Sequence, residues 1–198
     1  MKRLLAVLAL TAAYTASALP AIADPAADAL KAKLTSAMQG VKSFRVSVKP
    51  APGGEAETRM GRGSVTTTMV LPDKMETAVD MSGMSVKMVV LGAESWMQMN
   101  GGAWSKMPSD GGRMGAMFKQ TDAKKYMDQS VVTILPDEDF NGKKVGAFSG
   151  SSAALQKAGE SVCNYDKTTY LLVRCHTATG TVLFSDFKNP ANVIDVPK

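Results

Sequence analysis

The sequence predicts an α+β fold: a curved antiparallel sheet with helices covering its concave face. Three observations carry this. A helical pattern opens the chain after its apolar leader, a long series of short alternating runs follows, and a second stretch of helical spacing interrupts those runs near the middle. Ten or so strands do not stay an open flat sheet; they curl, and helices close the hollow side.

The leader comes first. Lys2 and Arg3 form a basic start, Leu4–Leu19 is apolar, and Ala21-Ile22-Ala23 is an A-x-A cleavage site before Asp24. Met1–Ala23 therefore reads as a secretory signal peptide, which places the mature protein in the periplasm. The apolar run is short and broken by Pro20, which argues against an uncleaved anchor, and no Cys stands at the cleavage site to carry a lipid. Asp24–Lys198 is long enough for one domain with a sizeable core. The full chain carries a net charge of +5, about +3 once Lys2 and Arg3 are removed. The basic residues are scattered, with only short pairs at Lys124-Lys125 and Lys143-Lys144, so nucleic acid is not an expected partner. Two cysteines, Cys163 and Cys175, flank an expected hairpin, and in an oxidising compartment they are expected to form a disulfide.

Asp24-Pro25 is a helix start, with Asp as N-cap and Pro in the first turn. Ala27, Leu30, Leu34, Met38 and Val41 recur at helical spacing, and the helix should stop near Gly40. Ser43–Lys49 alternates, with Phe44, Val46 and Val48 inward and Arg45, Ser47 and Lys49 outward. Pro50–Glu57 is a loop, Ser64–Leu71 the next strand, and Pro72-Asp73 a turn. Three more strands follow, joined at Ser82-Gly83, Gly92-Ala93 and Asn100-Gly101-Gly102. A two-residue turn at Gly101-Gly102 would set Trp104 opposite Met99 on the inner face. Met114, Met117, Phe118, Tyr126 and Met127 suggest one or two short amphipathic helices. Val131–Leu135 is a strand, Pro136–Asp139 a turn, and Lys144–Phe148 a strand. Ser149–Gly159 is expected to be a loop with a short helical piece. Ser161–Tyr165 and Tyr170–Thr177 form a hairpin, Thr181–Phe187 is the last long strand, and Val193–Val196 a short tail strand.

The distinctive stretch is Val65–Pro108. Of 14 methionines, it holds Met69, Met75, Met81, Met84, Met88, Met97, Met99 and Met107. Met75, Val79 and Met81 alternate with charged residues, as do Met84, Val86, Met88 and Val90 with Ser85 and Lys87. Period two places the methionines on one face of a sheet. Methionine is unbranched and adaptable, so such a face is an ordinary core, a greasy cavity or a soft-metal site.

Several local patterns, taken in order, resemble the periplasmic lipoprotein-carrier superfamily of LolA-type carriers and the lipid-carrying lipoproteins of mycobacteria. They are Ser43-Phe44-Arg45-Val46, Met69-Val70-Leu71-Pro72-Asp73-Lys74-Met75, Trp96 with Gly101-Gly102-Ala103-Trp104-Ser105-Lys106, and Leu135-Pro136-Asp137-Glu138-Asp139-Phe140-Asn141-Gly142-Lys143. Asp166-Lys167-Thr168-Thr169-Tyr170-Leu171-Leu172-Val173-Arg174 is similar to the family's D-x-x-T-x-L-x-x-R hairpin, and Phe187 to Pro197 to its closing segment. The resemblance spans nearly all of Asp24–Lys198. It implies an unclosed β-barrel with a helical lid and an apolar cavity for acyl chains. Lipoprotein carriers have an Arg-Pro pair where this chain has Leu71-Pro72, and that Arg helps move the lid. What the resemblance implies here is therefore an apolar ligand in general.

The expected function is a non-enzymatic carrier holding an acyl lipid or a lipoprotein's lipid moiety. Phe44, Val46, Met69, Met75, Met81, Val86, Met88, Met97 and Met99 are expected to line the pocket from the sheet, and Leu30, Leu34, Met38, Met117 and Phe118 to close it from the helices. One alternative is a Cu(I)-binding protein, since Met81-x-x-Met84 and Met97-x-Met99 have close thioether spacing. Another is a regulatory or structural module of the same fold with a filled core. His176 is the single histidine and sits beside Cys175, which argues for a structural role and against zinc. Asp137-Glu138-Asp139 reads as a solvated turn. No catalytic constellation and no cofactor are expected. The expected partners are the apolar ligand and, transiently, a membrane or membrane-bound delivery partner, with the protein a monomer.

Overall fold

The computed structural model describes residues 24–53, 63–81, 83–108, 130–151 and 161–197. The expected signal peptide, the helices expected around Met114–Met127 and residues 152–159 of the loop expected over Ser149–Gly159 lie outside the described residues; the first three residues of that loop, Ser149–Ser151, are instead strand, paired in the sheet.

Asp24 Oδ1 accepts a hydrogen bond from the Ala26 N–H (2.9 Å), and Pro25 occupies the first turn, so helix α1 (Pro25–Gln39) starts where the capping residues place it. Gly40 caps the other end. The alternating runs become β1 (Ser43–Pro50), β2 (Ser64–Val70), β3 (Lys74–Met81), β4 (Met84–Leu91), β5 (Glu94–Met99) and the short β6 (Ser105–Lys106). A second series follows: β7 (Val131–Phe140), β8 (Lys143–Ser151), β9 (Ser161–Tyr165), β10 (Leu172–Thr177) and β11 (Gly180–Ser185). Among the described residues these form one antiparallel sheet in the order β6-β5-β4-β3-β2-β1-β11-β10-β9-β8-β7. Two meanders thus meet where β1 pairs with β11, and β6 and β7 are edges that do not pair with each other, so the barrel is unclosed. The protein is mostly β with a little α. The expected plural helices reduce to α1 among the described residues.

Helix α1 lies on one side of the sheet. Its Ala27, Leu30 and Leu34 are buried against Val132, Phe148 and Cys163 of β7–β9. Met38, one turn further on, packs with Val41, Phe44 and Met69. Lys33 Nζ donates to Tyr170 Oη (3.1 Å) and sits over its ring, while Tyr170 stacks on Tyr165 at 5.8 Å. Burial pushes the Tyr165 phenol up from its usual value, with Asp137 adding to the shift.

The hairpin between β9 and β10 turns on Asp166. Its Oδ1 accepts from the N–H groups of Thr169 (2.8 Å) and Thr168 (2.9 Å) and from Thr169 Oγ1. The Thr169 backbone N–H is the chief cause of a carboxyl held below its ordinary value. A depressed carboxyl stabilises the fold above its unfolded pKa of about 3.9 and loses that effect as pH falls through the folded value. Asp166→Asn should therefore flatten part of the acid limb of a stability-versus-pH curve, measured by urea unfolding below pH 5.

Cys163 and Cys175 face each other across β9 and β10, with Cα atoms 4.0 Å apart, and form the expected disulfide. It joins the cluster beneath α1. Replacing both with Ser should cost about 3 kcal/mol of stability, the scale for a short closed loop, read as a lower denaturation midpoint. Gly180, at the start of β11, faces Pro50. A Cβ there would collide with the Lys49 carbonyl oxygen, backbone that cannot swing aside. Gly180→Ala should lose about 1–3 kcal/mol through overpacking, again read in the unfolding midpoint.

Three local expectations are corrected. Pro136–Asp139 is no turn: β7 runs on to Phe140 through a register shift between Leu135 and Glu138, and the chain reverses at Asn141-Gly142. An edge strand tolerates Pro because its missing N–H can sit on the unpaired side or in a bulge. Val193–Val196 is no strand: Ile194 is buried against Val89 and Trp96, while Val193 and Val196 are exposed. Trp104 is not opposite Met99. Asn100 and Gly101 take left-handed φ values of 48° and 70°, and Trp96 pairs with Lys106 and Met97 with Ser105. That register returns Trp104 to the outer face, where it packs with the Val89, Trp96 and Ile194 cluster.

Candidate functional site: an uncharged, methionine-rich face

Cross-strand partners in a sheet share a face, so the register fixes which side chains stand together. One row across the first meander is Phe44, Met69, Met75, Val90 and Ser95. The next is Val46, Thr67, Thr77, Met88, Met97 and Ser105. A third is Val48, Val65, Val79, Val86 and Met99, and Met81 pairs with Met84 at the strand ends. All nine sheet residues expected to line a pocket therefore lie on one face. Because Phe44 and Met69 pack with Met38 of α1, it is the helix side.

These rows hold no charged residue. Arg45, Lys49, Lys74, Glu76, Asp80, Lys87, Glu94 and Lys106 all fall on the opposite face by the same alternation. Parity in a β-strand makes this all-or-none, since a slip of one residue would exchange the two sets.

Burial divides the face. Phe44 and Met69 are buried under the end of α1, joined by Val46, Leu171, Phe184 and Phe187 at the margin. Met75, Met81, Val86, Met88 and Met97 are half-buried, and Met99 is 49% exposed. Among the described residues none of these six belongs to a buried cluster. The helix residues split: Met38 reaches the methionine rows, whereas Leu30 and Leu34 cover the second meander. Met117 and Phe118 lie outside the described residues.

Sequence reasoning passed over Thr67 and Thr77 as site residues. Their hydroxyls lie 3.1 Å apart on the middle row. Period two already placed them inward, but which residue faces which depends on register. It also passed over Phe184, which the β1–β11 pairing sets opposite Val46, and Leu171, which joins the same cluster from the turn before β10.

The opposite face is structural in character. Arg174 donates from Nε to Asn164 Oδ1 (2.9 Å) and from Nη2 to Glu138 Oε2 (2.7 Å), beside the Phe140 ring. Asn164 is fully buried there and donates to Glu138 as well. A hollow of about 600 Å³ opens between Lys42, Val70, Leu71, Lys188, Pro190 and Asn192, and takes in none of the residues expected to bind ligand.

No family model and no curated protein matches the chain. Solved structures do. The chain superposes on the lipoprotein LppX of Mycobacterium tuberculosis with a TM-score of 0.60 at 16% identity, over 87% of this chain and 99% of that one. It superposes on LprF of Mycobacterium bovis with a TM-score of 0.65 at 14% identity, over 88% and 97%. A LolA superfamily protein from Nitrosomonas europaea aligns over 86% of this chain at 8% identity, with a TM-score of 0.33 that is too loose to add to the argument. At these identities the likeness is one of architecture: this chain has the fold of the mycobacterial lipoproteins LppX and LprF.

Proposed function

We propose that the protein is an exported, non-enzymatic carrier that holds an apolar ligand, an acyl lipid or the lipid moiety of a lipoprotein, against the methionine-rich face. The observation that carries this reading is the uncharged set of rows on the helix side of the sheet, half-buried at Met75, Met81, Val86, Met88 and Met97. Its shared fold with two lipoproteins supports it. The ligand would lie across Val46, Met75, Met81, Val86, Met88, Met97 and Met99. Phe44, Met69 and Met38 would form the closed end. Leu30 and Leu34 would steady the helix, and Met117 and Phe118 belong to the proposed cover. Binding would come from removing ligand surface from water, about 0.8 kcal/mol per CH₂. Unbranched thioether side chains suit this because they re-pack around chains of different length and bend. Release would be a movement of the cover, with a membrane or membrane-bound acceptor as the partner and the carrier itself a monomer. The disulfide supports an oxidising compartment, the periplasm, as its location.

A second reading, Cu(I) binding, is favoured by one feature of the register. Met81 stands directly opposite Met84, and Met88 opposite Met97, so thioethers come in pairs on neighbouring strands.

Native mass spectrometry of the mature protein purified from its own periplasm separates the readings. The expected result is a heavy adduct that extracts into organic solvent as acyl lipid. A copper adduct would move the methionines from lining to ligands. A bare mass, unchanged after incubation with lipid and with Cu(I), would leave a filled interior and overturn both.

A further inference from the structure

We infer that the hydroxyl pair Thr67–Thr77 is a specificity device that selects a neutral carbonyl, such as an acyl ester, within an otherwise apolar ligand. The inference rests on the carrier reading and adds to it the chemical class of the ligand.

Thr67 and Thr77 face each other across β2 and β3, and their Oγ1 atoms lie 3.1 Å apart. Val46 and Met88 flank them along the row. Met69 and Met75 stand beside them on one side, Val65 and Val79 on the other. The pair is thus a polar island in the middle of an apolar face. Each threonine hydroxyl has one proton to donate and two lone pairs. The contact within the pair uses one proton, whichever oxygen donates it. The second proton has no acceptor among the described residues, and both side chains are half-buried. An apolar chain laid over the pair would strip its water and leave that donor unmatched. An unmatched buried hydroxyl is costly, so the face discriminates against a pure hydrocarbon and favours a ligand with an acceptor at that depth.

The acceptor must also be neutral. No Lys or Arg lies on the three rows around the pair, so a carboxylate placed there would be desolvated without a counter-charge. A carbonyl with apolar arms on both sides meets both conditions, which is the chemistry of an ester and not of a free fatty acid.

The test loads the mature protein from detergent micelles with an equimolar mixture of palmityl palmitate and an alkane of matched length. Bound lipid is then counted by gas chromatography after extraction. Wild type should take the ester over the alkane by about three- to tenfold, the range of one net hydrogen bond. Thr67→Val/Thr77→Val keeps the shape, and its ratio should fall to about one while total uptake holds. Thr67→Ser/Thr77→Ser keeps the hydroxyls and should keep the preference. Equal uptake by wild type, or an unchanged preference in the valine variant, overturns the inference while leaving the carrier reading intact. Uptake of neither probe overturns the carrier reading itself. A second measurement needs no variant: at pH 8 wild type should exclude palmitate in favour of methyl palmitate, and equal uptake of the two would refute the requirement for a neutral acceptor.

Discussion

Met88→Asp is expected to abolish uptake of acyl lipid by a protein that still folds. Met88 lies on the middle row between Thr77 and Met97, half-buried on a face without charge. In the free protein an aspartate there keeps access to water, so the sheet tolerates it. Under a bound ligand it would be desolvated, with no cation on the surrounding rows to pair it. The loss should exceed what a ligand's central methylenes contribute, at about 0.8 kcal/mol each. The control is one residue away. Lys87 projects from the opposite face and is exposed, so Lys87→Asp makes a larger charge change without touching the rows. Lipid binding measured by fluorescent-probe displacement should vanish in the first variant and persist in the second. Retained binding by folded Met88→Asp would count against the face as the binding surface.

Leu34→Ala should produce the largest loss of stability among single truncations of α1, about 2–5 kcal/mol. Leu34 is 2% exposed and sits in the cluster with Val132, Phe148 and Cys163. Strands β7–β9 are rigidly hydrogen-bonded and their disulfide-linked partner cannot shift inward, so the cavity left behind would collapse poorly. The same helix carries Met38 to the methionine rows, so a loosened α1 should also bind lipid less tightly. Urea unfolding with and without lipid separates the two effects. A loss below 1 kcal/mol would mean that α1 is held chiefly through Lys33 and Tyr170 at its surface.

What the sequence revealed and what it hid follow from the range of the physics involved. Alternation is local and binary, so Phe44 against Arg45 or Met88 against Lys87 could be assigned to faces without knowing a single partner strand. The helix start was equally local, because Asp24 caps a backbone N–H only two residues away. Trp104 went astray because its face depends on a count through Asn100-Gly101-Gly102, where one residue reverses the answer. Pro136 suggested a turn because proline usually interrupts a strand, and only the position of β7 at an edge with a bulge makes it compatible. Ile194 looked like one member of a tail strand, yet it is a lone anchor whose burial depends on Val89 and Trp96, far away in the chain. The candidate site was legible to the same extent: one face, its residues and its lack of charge. The hydroxyl contact at its centre was not, because neither threonine announces which residue it will meet.

The pairing of β1 with β11 has a consequence for how the molecule comes into being. Each meander can zip up from neighbours in sequence, a cheap and rapid process. The seam between them joins Arg45 to Ser185 and Val48 to Val182. That long-range closure is entropically expensive and slow. A chain emerging amino-terminus first would hold β1 with one side unpaired until nearly the whole polypeptide had appeared. During that interval a strand with a greasy face and open amide groups invites the wrong partner. Phe44 and Val46 would be the exposed side chains, so a holding chaperone that takes extended apolar segments should find its strongest site there.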